Sequence, residues 1–149
     1  MRGKVEAERK YTLAEGQKLP PLDSVAVAGP VQEFDQVATY YDSPDYRLTR
    51  AKLVIRRREG GTDAGWHLKT PGTRTDERHE EQVPLGARRP PPELREQVSD
   101  ALDGAALSPV AMLRTHRREQ QLLGPDGTVL ATTTTDQVEA LVGGDRQHW

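Results

Sequence analysis

The chain has 149 residues, which is enough for one domain with a hydrophobic core and too few for two ordinary domains. Its formal net charge of −2 argues against a protein that coats nucleic acid, and the absence of cysteine excludes disulfides, thiolate metal ligands and cysteine nucleophiles. Charged residues make up 30 % of the chain against 34 % hydrophobic residues, so either the surface is heavily solvated or part of the charge lies in a site.

The first residues, 1–4, lead directly into charged sequence and lack the apolar stretch of a signal peptide. No segment approaches the roughly 20 consecutive apolar residues of a membrane span. We therefore expect a soluble cytoplasmic domain that binds neither a membrane nor nucleic acid.

The first third of the chain predicts two strands and a short helix. Charged and less polar residues alternate over residues 5–13, which is typical of a strand with one charged face. The glycine- and proline-rich residues 16–30 predict a loop, and residues 31–41 predict a second strand. Asp42-Ser43-Pro44-Asp45 then predicts the start of a short helix over residues 45–51, because Asp and Ser cap helix N-termini.

The remainder predicts two hairpins, a further strand and one good helix. Apolar residues at helical spacing predict a helix over residues 93–102, and Gly104 ends it. The strands predicted here are 52–59, 65–70, 74–85, 112–123 and 128–138. The first two are joined by the glycine-rich turn 60–65, and the last two by Pro125-Asp126-Gly127. With about seven strands and one good helix, the chain is predicted to be α+β with an antiparallel sheet.

Charged residues stand inside the predicted strands at alternate positions, which share one face of a strand. Arg56 and Arg58 lie two apart on one strand, and His67 and Lys69 lie two apart on the next. The other charged strand residues are Glu6, Glu8, Lys10, Arg78, Glu80, Arg114, Arg117 and Asp136. Such stripes are usually solvated, but a closed barrel would bring them together in one lumen. Because arginine binds phosphate oxygens and carboxylates bind Mg²⁺ or Mn²⁺, such a lumen suits a metal with a polyphosphate.

Four sequence blocks resemble one known family. Glu6-Ala7-Glu8-Arg9-Lys10 resembles the Glu-x-Glu-x-Lys motif of the CYTH superfamily, which includes inorganic triphosphatases, thiamine triphosphatases and class IV adenylate cyclases. Tyr40-Tyr41-Asp42-Ser43-Pro44 looks like the family's Tyr-Tyr-Asp-Thr-Pro segment. Residues 53–59 followed by Gly65-Trp66-His67-Leu68-Lys69 are similar to its arginine strand and Gly-Trp-x-Leu-Lys strand. The resemblance implies an antiparallel β-barrel, the triphosphate tunnel, with one or two peripheral helices.

The resemblance also implies roles for individual residues. It places Glu6, Glu8 and Lys10 in catalysis, and Mg²⁺ or Mn²⁺ as the cofactor. The phosphate-binding residues that it implies are Lys10, Arg56, Arg58, Lys69, Arg114 and Arg117. The metal-binding residues that it implies are Glu6, Glu8, Glu80 and Asp136. Arg114 and Arg117 compete for one cationic position, and the sequence does not choose between them.

One departure from the family concerns the C-terminal side. The family closes its tunnel with further strands that carry a second set of glutamates, whereas this sequence stops at Trp149. We therefore expect one CYTH-like domain over residues 1–149 that lacks its last strand or strands, and hence an incomplete barrel. A second copy could fill the gap by strand exchange, so a homodimer is a further expectation.

The leading functional hypothesis is metal-dependent hydrolysis of a linear triphosphate, with inorganic tripolyphosphate as the favoured substrate. A thiamine triphosphatase or an adenylate cyclase of the same fold would take thiamine triphosphate or a nucleoside triphosphate instead. With 5 % aromatic residues, no aromatic clamp for thiamine is identifiable, so that activity ranks lower. A non-catalytic polyphosphate- or nucleotide-binding module is the alternative from a different class.

Overall fold

The computed structural model describes residues 2–14, 16–17, 26–142 and 145–148; for residues 2, 4–7 and 145–148, it describes the backbone alone. Eight strands and three short helices follow one another along this part of the chain. In chain order they are β1 (Arg2–Ala7), β2 (Val27–Asp42), α1 (Arg47–Arg50), β3 (Val54–Glu59), β4 (Gly65–Pro71), β5 (Glu77–Val83), α2 (Pro92–Gln97), α3 (Ser99–Leu102), β6 (Ser108–Leu123), β7 (Val129–Val142) and β8 (Asp145–His148).

All eight strands form one antiparallel sheet in the order β1-β5-β4-β3-β2-β6-β7-β8. The sheet is curled but open, because β1 and β8 lie at its two ends and no ladder joins them within the described residues. The prediction of an α+β protein with an antiparallel, incomplete barrel is thereby confirmed. The short helix near residue 47, both predicted hairpins and the helical segment after Pro91 are confirmed as well.

The bounds of several predicted strands were wrong; β6 begins at Ser108 rather than at residue 112, and β7 ends at Val142 rather than at residue 138. β1 ends at Ala7 rather than at residue 13, because its partner β5 begins at Glu77 and offers no ladder beyond that point. β2 begins at Val27, within the segment predicted as a loop. Its first residues pair with the end of β6, and the register shifts between Ala28 and Val31, where a proline that cannot donate to the ladder is accommodated by the irregularity.

The hydrophobic core lies on one side of β3, β4 and β5, where the helices cover the sheet. The buried side chains of this cluster are Leu48, Ile55, Trp66, Leu68, Leu94, Val98 and Leu102. Leu94, Val98 and Leu102 are four residues apart, so α2 and α3 present one continuous apolar stripe to the sheet. The rings of Tyr41 and Trp66 pack with centroids 5.2 Å apart, so both aromatic residues contribute to this apolar packing.

The Tyr-Tyr-Asp-Ser-Pro segment forms the corner between β2 and α1. The buried carboxylate of Asp42 accepts hydrogen bonds from the backbone N–H groups of Ser43 (2.7 Å), Leu48 (2.9 Å) and Thr49 (3.0 Å), and from the Thr49 hydroxyl (2.7 Å). Burial opposes ionisation of this carboxyl, but these donors together hold the pKa of Asp42 below its ordinary value. Asp42 therefore anchors the first turn of α1 and is a structural residue.

No helix among the described residues is long and apolar enough to cross a membrane.

Candidate functional site

The side of β3 and β4 opposite the core carries buried charge. Because successive strand residues point to opposite faces, Ile55 and Trp66 enter the core while Arg56, Arg58 and His67 point away from it. No helix covers this face within the described residues, yet Arg56 and Arg58 are each only 8 % exposed and His67 is 0 % exposed. Curling of the sheet therefore buries a charged surface, which we call the charged face.

Glu80 neutralises part of this charge. It lies on β5 directly opposite Lys69 of β4, and it is 1 % exposed. One of its carboxylate oxygens, Oε2, is 3.4 Å from Lys69 Nζ and 3.8 Å from Arg56 Nη2. A buried carboxylate between two cations removes much of the cost of burying all three. The structure thus brings together Arg56, Lys69 and Glu80.

His67 lies between the two arginines of β3 and the turn after them. Arg56 Nε–H donates to His67 Nδ1 at 2.9 Å, so the other ring nitrogen carries the proton and donates to the backbone carbonyl of Asp63 at 2.8 Å. Burial, and then the neighbouring Arg56 charge, lower the pKa of His67 to about 4. The ring is therefore neutral at physiological pH, in agreement with its two hydrogen bonds.

The turn between β3 and β4 folds back so that Asp63 reaches the charged face. Its carboxylate lies 3.0 Å and 3.3 Å from Arg58 Nη1 and 3.4 Å from the amide nitrogen of Gln36. Burial acts to raise the pKa of Asp63, but the Arg58 charge and the other cationic partners hold it below its ordinary value. For Arg58, burial and the nearby Arg56 lower the pKa of the guanidinium.

Two glycines make this fold-back possible. Gly60 and Gly61 adopt φ values of +79° and +76°, in the left-handed region that favours glycine. A Cβ at Gly60 would lie 2.3 Å from the backbone oxygen of Asp35, and one at Gly61 would lie 2.5 Å from Gln36 Nε2. Larger residues at either position would displace the turn that carries Asp63.

The β6–β7 hairpin contributes one further cation. Arg117 forms a two-pronged pair with Asp136 on β7, at 2.8 Å and 2.7 Å, and this pair raises the pKa of the guanidinium. In the ladder, Phe34 of β2 lies opposite Arg117, and Tyr40 of β2 lies opposite Arg56. Phe34 and Tyr40 are an even number of residues apart, so their side chains point to the same face. Arg117 and Asp136 therefore lie on the charged face.

Arg114 lies on the opposite face of the sheet. It pairs with Val37 on β2 and Glu139 on β7, and Val37 in turn pairs with Glu59 on the core side of β3. Arg114 lines a shallow cavity with Met112, Glu139 and Leu141. The register thus places Arg117, and not Arg114, on the same face of the sheet as Arg56 and Arg58; which of the two binds phosphate stays a prediction.

The structure does not bring the whole Glu-x-Glu-x-Lys motif to the charged face. Glu6 lies in β1 opposite Arg78, and its side chain is outside the described part. Glu8 and Lys10 lie beyond the end of β1; their side chains are 51 % and 86 % exposed and pair with each other at 3.4 Å. Within the described structure these two residues belong to an exposed segment.

The side chains of the described residues do not by themselves fit a metal ion. No group of three His, Asp or Glu side chains among them lies close enough to form a ligand set. The carboxylates of Glu80, Asp63 and Asp136 each face an arginine or lysine. Such partners compete with a divalent cation for the same oxygens.

Sequence patterns did not predict three polar residues of the charged face, namely Gln36, Asp63 and Gln82. Tyr40, which belongs to the Tyr-Tyr-Asp-Ser-Pro block, also lies on this face. Gln82 lies two residues beyond Glu80, so its strand alternation was a usable signal. Asp63 gave none, because nothing in a glycine-rich turn indicates which of its side chains folds back over the sheet.

A sequence profile of the CYTH domain matches residues 4–146, which is nearly the whole chain. The chain belongs to the CYTH domain family. The profile spans all the strands that carry the charged face, so Arg56, Arg58, Lys69, Glu80 and Arg117 lie within the CYTH domain.

Two uncharacterised proteins of Mycobacterium tuberculosis, from strains CDC 1551 and H37Rv, are each 37 % identical to this CYTH chain over 147 residues. The alignments cover 94 % of the chain but only 28 % of each relative, so the chain spans less than a third of their length. A crystal structure of a candidate adenylate cyclase from Bacillus halodurans has a TM-score of 0.49 and 16 % identity, covering 78 % of this chain and 63 % of the other.

Proposed function

We propose that the charged face binds a linear triphosphate through Arg56, Arg58, Lys69 and Arg117. The observation that carries this proposal is the concentration of these four cations on one face of the sheet, with both β3 arginines nearly buried. An ordinary solvated strand face would leave its charges in water. Buried arginines that face one another instead suit a ligand that brings several negative charges.

The carboxylates of the face explain how it remains folded without a ligand. Glu80, Asp63 and Asp136 provide three negative charges against the four cations. A linear triphosphate carries about four negative charges near neutral pH, and its oxygens can replace carboxylate oxygens as hydrogen-bond acceptors. On binding, the phosphate oxygens of the ligand would replace the protein's carboxylates as partners of the arginines and the lysine. The buried cations would then never be left unpaired, which avoids a large cost in free energy.

Hydrolysis of a phosphoric anhydride is the reaction that we propose, with inorganic tripolyphosphate as the favoured substrate. Cleavage by water places growing negative charge on the leaving phosphate, and fixed arginines lower the free energy of that transition state. Thiamine triphosphate and nucleoside triphosphates are rival substrates that share the triphosphate group. Dependence on Mg²⁺ or Mn²⁺ is left to experiment, because the described side chains form no metal site.

One observation favours a second candidate, namely binding of polyphosphate without turnover. Glu8 and Lys10, which the resemblance placed in catalysis, have exposed side chains and lie beyond the end of β1, in which Lys4 is the residue opposite Glu80. If these two residues do not join the charged face, the face retains its phosphate-binding cations but lacks part of the implied catalytic set. Assays of phosphate release and of binding, run side by side, distinguish this candidate from hydrolysis.

The test compares tripolyphosphate, thiamine triphosphate and ATP, each with Mg²⁺, with Mn²⁺ and without added metal. Phosphate release and cyclic nucleotide formation measure turnover, and calorimetry measures binding. Tripolyphosphate should bind and be hydrolysed fastest, and Glu6→Ala and Lys10→Ala should slow its hydrolysis sharply. Unchanged rates in both variants would refute the catalytic assignment, whereas binding without phosphate release would favour the second candidate.

Arg117 and Arg114 form a matched pair for the binding assignment. Arg117→Met should weaken tripolyphosphate binding about tenfold, as expected for loss of one charge-assisted contact. Arg114→Met removes the same charge from the opposite face and should leave affinity within about twofold, since exposed charges act weakly across a sheet. Equal losses would show that only the net charge of the protein matters.

A further inference from the structure

We propose that His67 is a positioning residue that aims Arg56 directly, and Arg58 through the turn 60–65, at a bound phosphate chain. The inference rests on the proposed function, because it assigns to His67 a task in triphosphate binding. Its basis is geometric, because the completely buried imidazole ring makes two hydrogen bonds. One joins it to Arg56, and the other joins it to Asp63, the residue whose carboxylate pairs with Arg58.

The bond from Arg56 fixes the plane and direction of its guanidinium. With Nε–H donated to His67 at 2.9 Å, the donors left for a ligand are those on the two terminal nitrogens. Arg56 Nη2 is 3.8 Å from Glu80 Oε2, which is longer than a hydrogen bond. His67 thus holds Arg56 short of a two-pronged pair with Glu80, so that the terminal N–H groups remain directed along the charged face.

The second bond acts on the turn. His67 Nε2–H donates to the backbone carbonyl of Asp63 at 2.8 Å, and Gln82 Nε2 supports the same oxygen at 3.4 Å. The carboxylate of Asp63 accepts a hydrogen bond from Arg58 Nη1 at 3.0 Å. Because Gly60 and Gly61 give the turn little stiffness of its own, this anchor sets where Asp63, and therefore Arg58, lies.

A neutral imidazole meets both requirements at this position, and a cationic side chain does not. Nδ1 must accept a hydrogen bond from a guanidinium while Nε2 donates to a carbonyl, and neither lysine nor arginine has an acceptor. A protonated ring would direct an N–H group at the Arg56 N–H. Burial and the Arg56 charge keep the pKa of His67 at about 4, which preserves the neutral form.

Two substitutions separate positioning from simple packing. In His67→Asn, the side-chain oxygen can replace Nδ1 as the acceptor for Arg56, whereas His67→Gln places its amide near Nε2 and leaves Arg56 without that acceptor. Both remove the ring and should lower the melting temperature similarly. We expect His67→Asn to raise the dissociation constant for tripolyphosphate by up to about threefold, because it loses only the indirect anchor of the turn, and His67→Gln to raise it about tenfold or more, because Arg56 loses its direct acceptor.

A measurement on the unaltered protein covers the case in which these variants fail to fold. In ¹⁵N-labelled protein, a scalar coupling across the hydrogen bond should join Arg56 Nε and His67 Nδ1, and Nδ1 should show the chemical shift of an unprotonated nitrogen. Absence of the coupling would overturn the inference even if tripolyphosphate binds. So would equal losses of affinity in both variants, or no loss in either.

The proposed function can fail separately from the positioning geometry. If the coupling is present but the unaltered protein does not bind tripolyphosphate, the triphosphate assignment is wrong, and with it the role of His67 in binding. If tripolyphosphate binds and the coupling is present, the difference between the two variants decides the inference.

Discussion

Strand β4 has two equally buried sides that are buried by different means. Trp66, on one side, is 0 % exposed and packs among apolar side chains beneath the helices; His67, on the other, is also 0 % exposed and lies among Arg56, Asp63 and Glu80. The first side is stabilised by removal of apolar surface from water. The second remains folded because each charge has a partner of opposite sign, so only the second side can exchange its internal partners for a ligand.

The largest expected effect comes from the apolar side. Trp66→Ala should reduce the free energy of unfolding by about 3–5 kcal/mol, since it empties the centre of the core and deletes the bond from Trp66 Nε1 to the carbonyl of Ala87. Urea unfolding followed by circular dichroism measures this loss. Tripolyphosphate should not restore the stability of this variant beyond its ordinary effect on the unaltered protein; a selective rescue would mean that the two sides are not separate.

A slightly smaller loss of unfolding free energy is expected from a substitution on the charged side. Unlike the loss in Trp66→Ala, this one should be partly recovered when tripolyphosphate binds. Glu80→Gln keeps the side-chain volume but leaves Arg56 and Lys69 without a buried counter-charge, which should cost about 2–4 kcal/mol. Tripolyphosphate should stabilise this variant more than it stabilises the unaltered protein, because the ligand supplies the missing negative charge. Thermal unfolding with and without ligand gives both numbers, and equal ligand shifts would contradict the exchange of anions.

A pH titration sharpens the comparison further. His67 has a pKa of about 4 in the folded protein, below the ordinary value of 6.5, so the unfolded chain binds a proton first as the pH falls. Stability should therefore decline between about pH 6.5 and pH 4, with His67 contributing up to about 3 kcal/mol of that decline. Asp63 and Glu80 face the same ring, so the measurement is the difference in unfolding free energy between the unaltered protein and His67→Asn. A difference that does not vary over this range would contradict a buried neutral ring.

The division between the two sides of β3 and β4 could be predicted from the sequence. Strand alternation alone separates Arg56 and Arg58 from Ile55, and Lys69 from Leu68, and a short hairpin forces the two strands to pair. Local patterns were also sufficient for both hairpins and for the helical segment near residues 93–102, although not for its division at Val98 into α2 and α3.

The parts that could not be predicted depend on pairing between distant strands. Whether Arg114 or Arg117 joins the charged face depends on the register of β2 against β6, which no local pattern states. The end of β1 is set by where β5 begins, so the alternation that continues to Lys10 overestimated the strand. Asp63 reaches Arg58 only because the turn after β3 folds back over the sheet, and that path depends on tertiary contacts.

The most direct test of the central claim uses two adjacent arginines of β3. Arg58 is buried on the charged face, where its Nε has no hydrogen-bond partner among the described residues, whereas Arg57 lies on the other side with Glu59 and the carbonyl of Ala87. Arg58→Met and Arg57→Met remove the same charge one residue apart, and calorimetry measures their affinity for tripolyphosphate. We predict a loss of about tenfold or more for Arg58→Met and less than about twofold for Arg57→Met. Equal losses, or a larger loss for Arg57→Met, would contradict a phosphate site on the charged face.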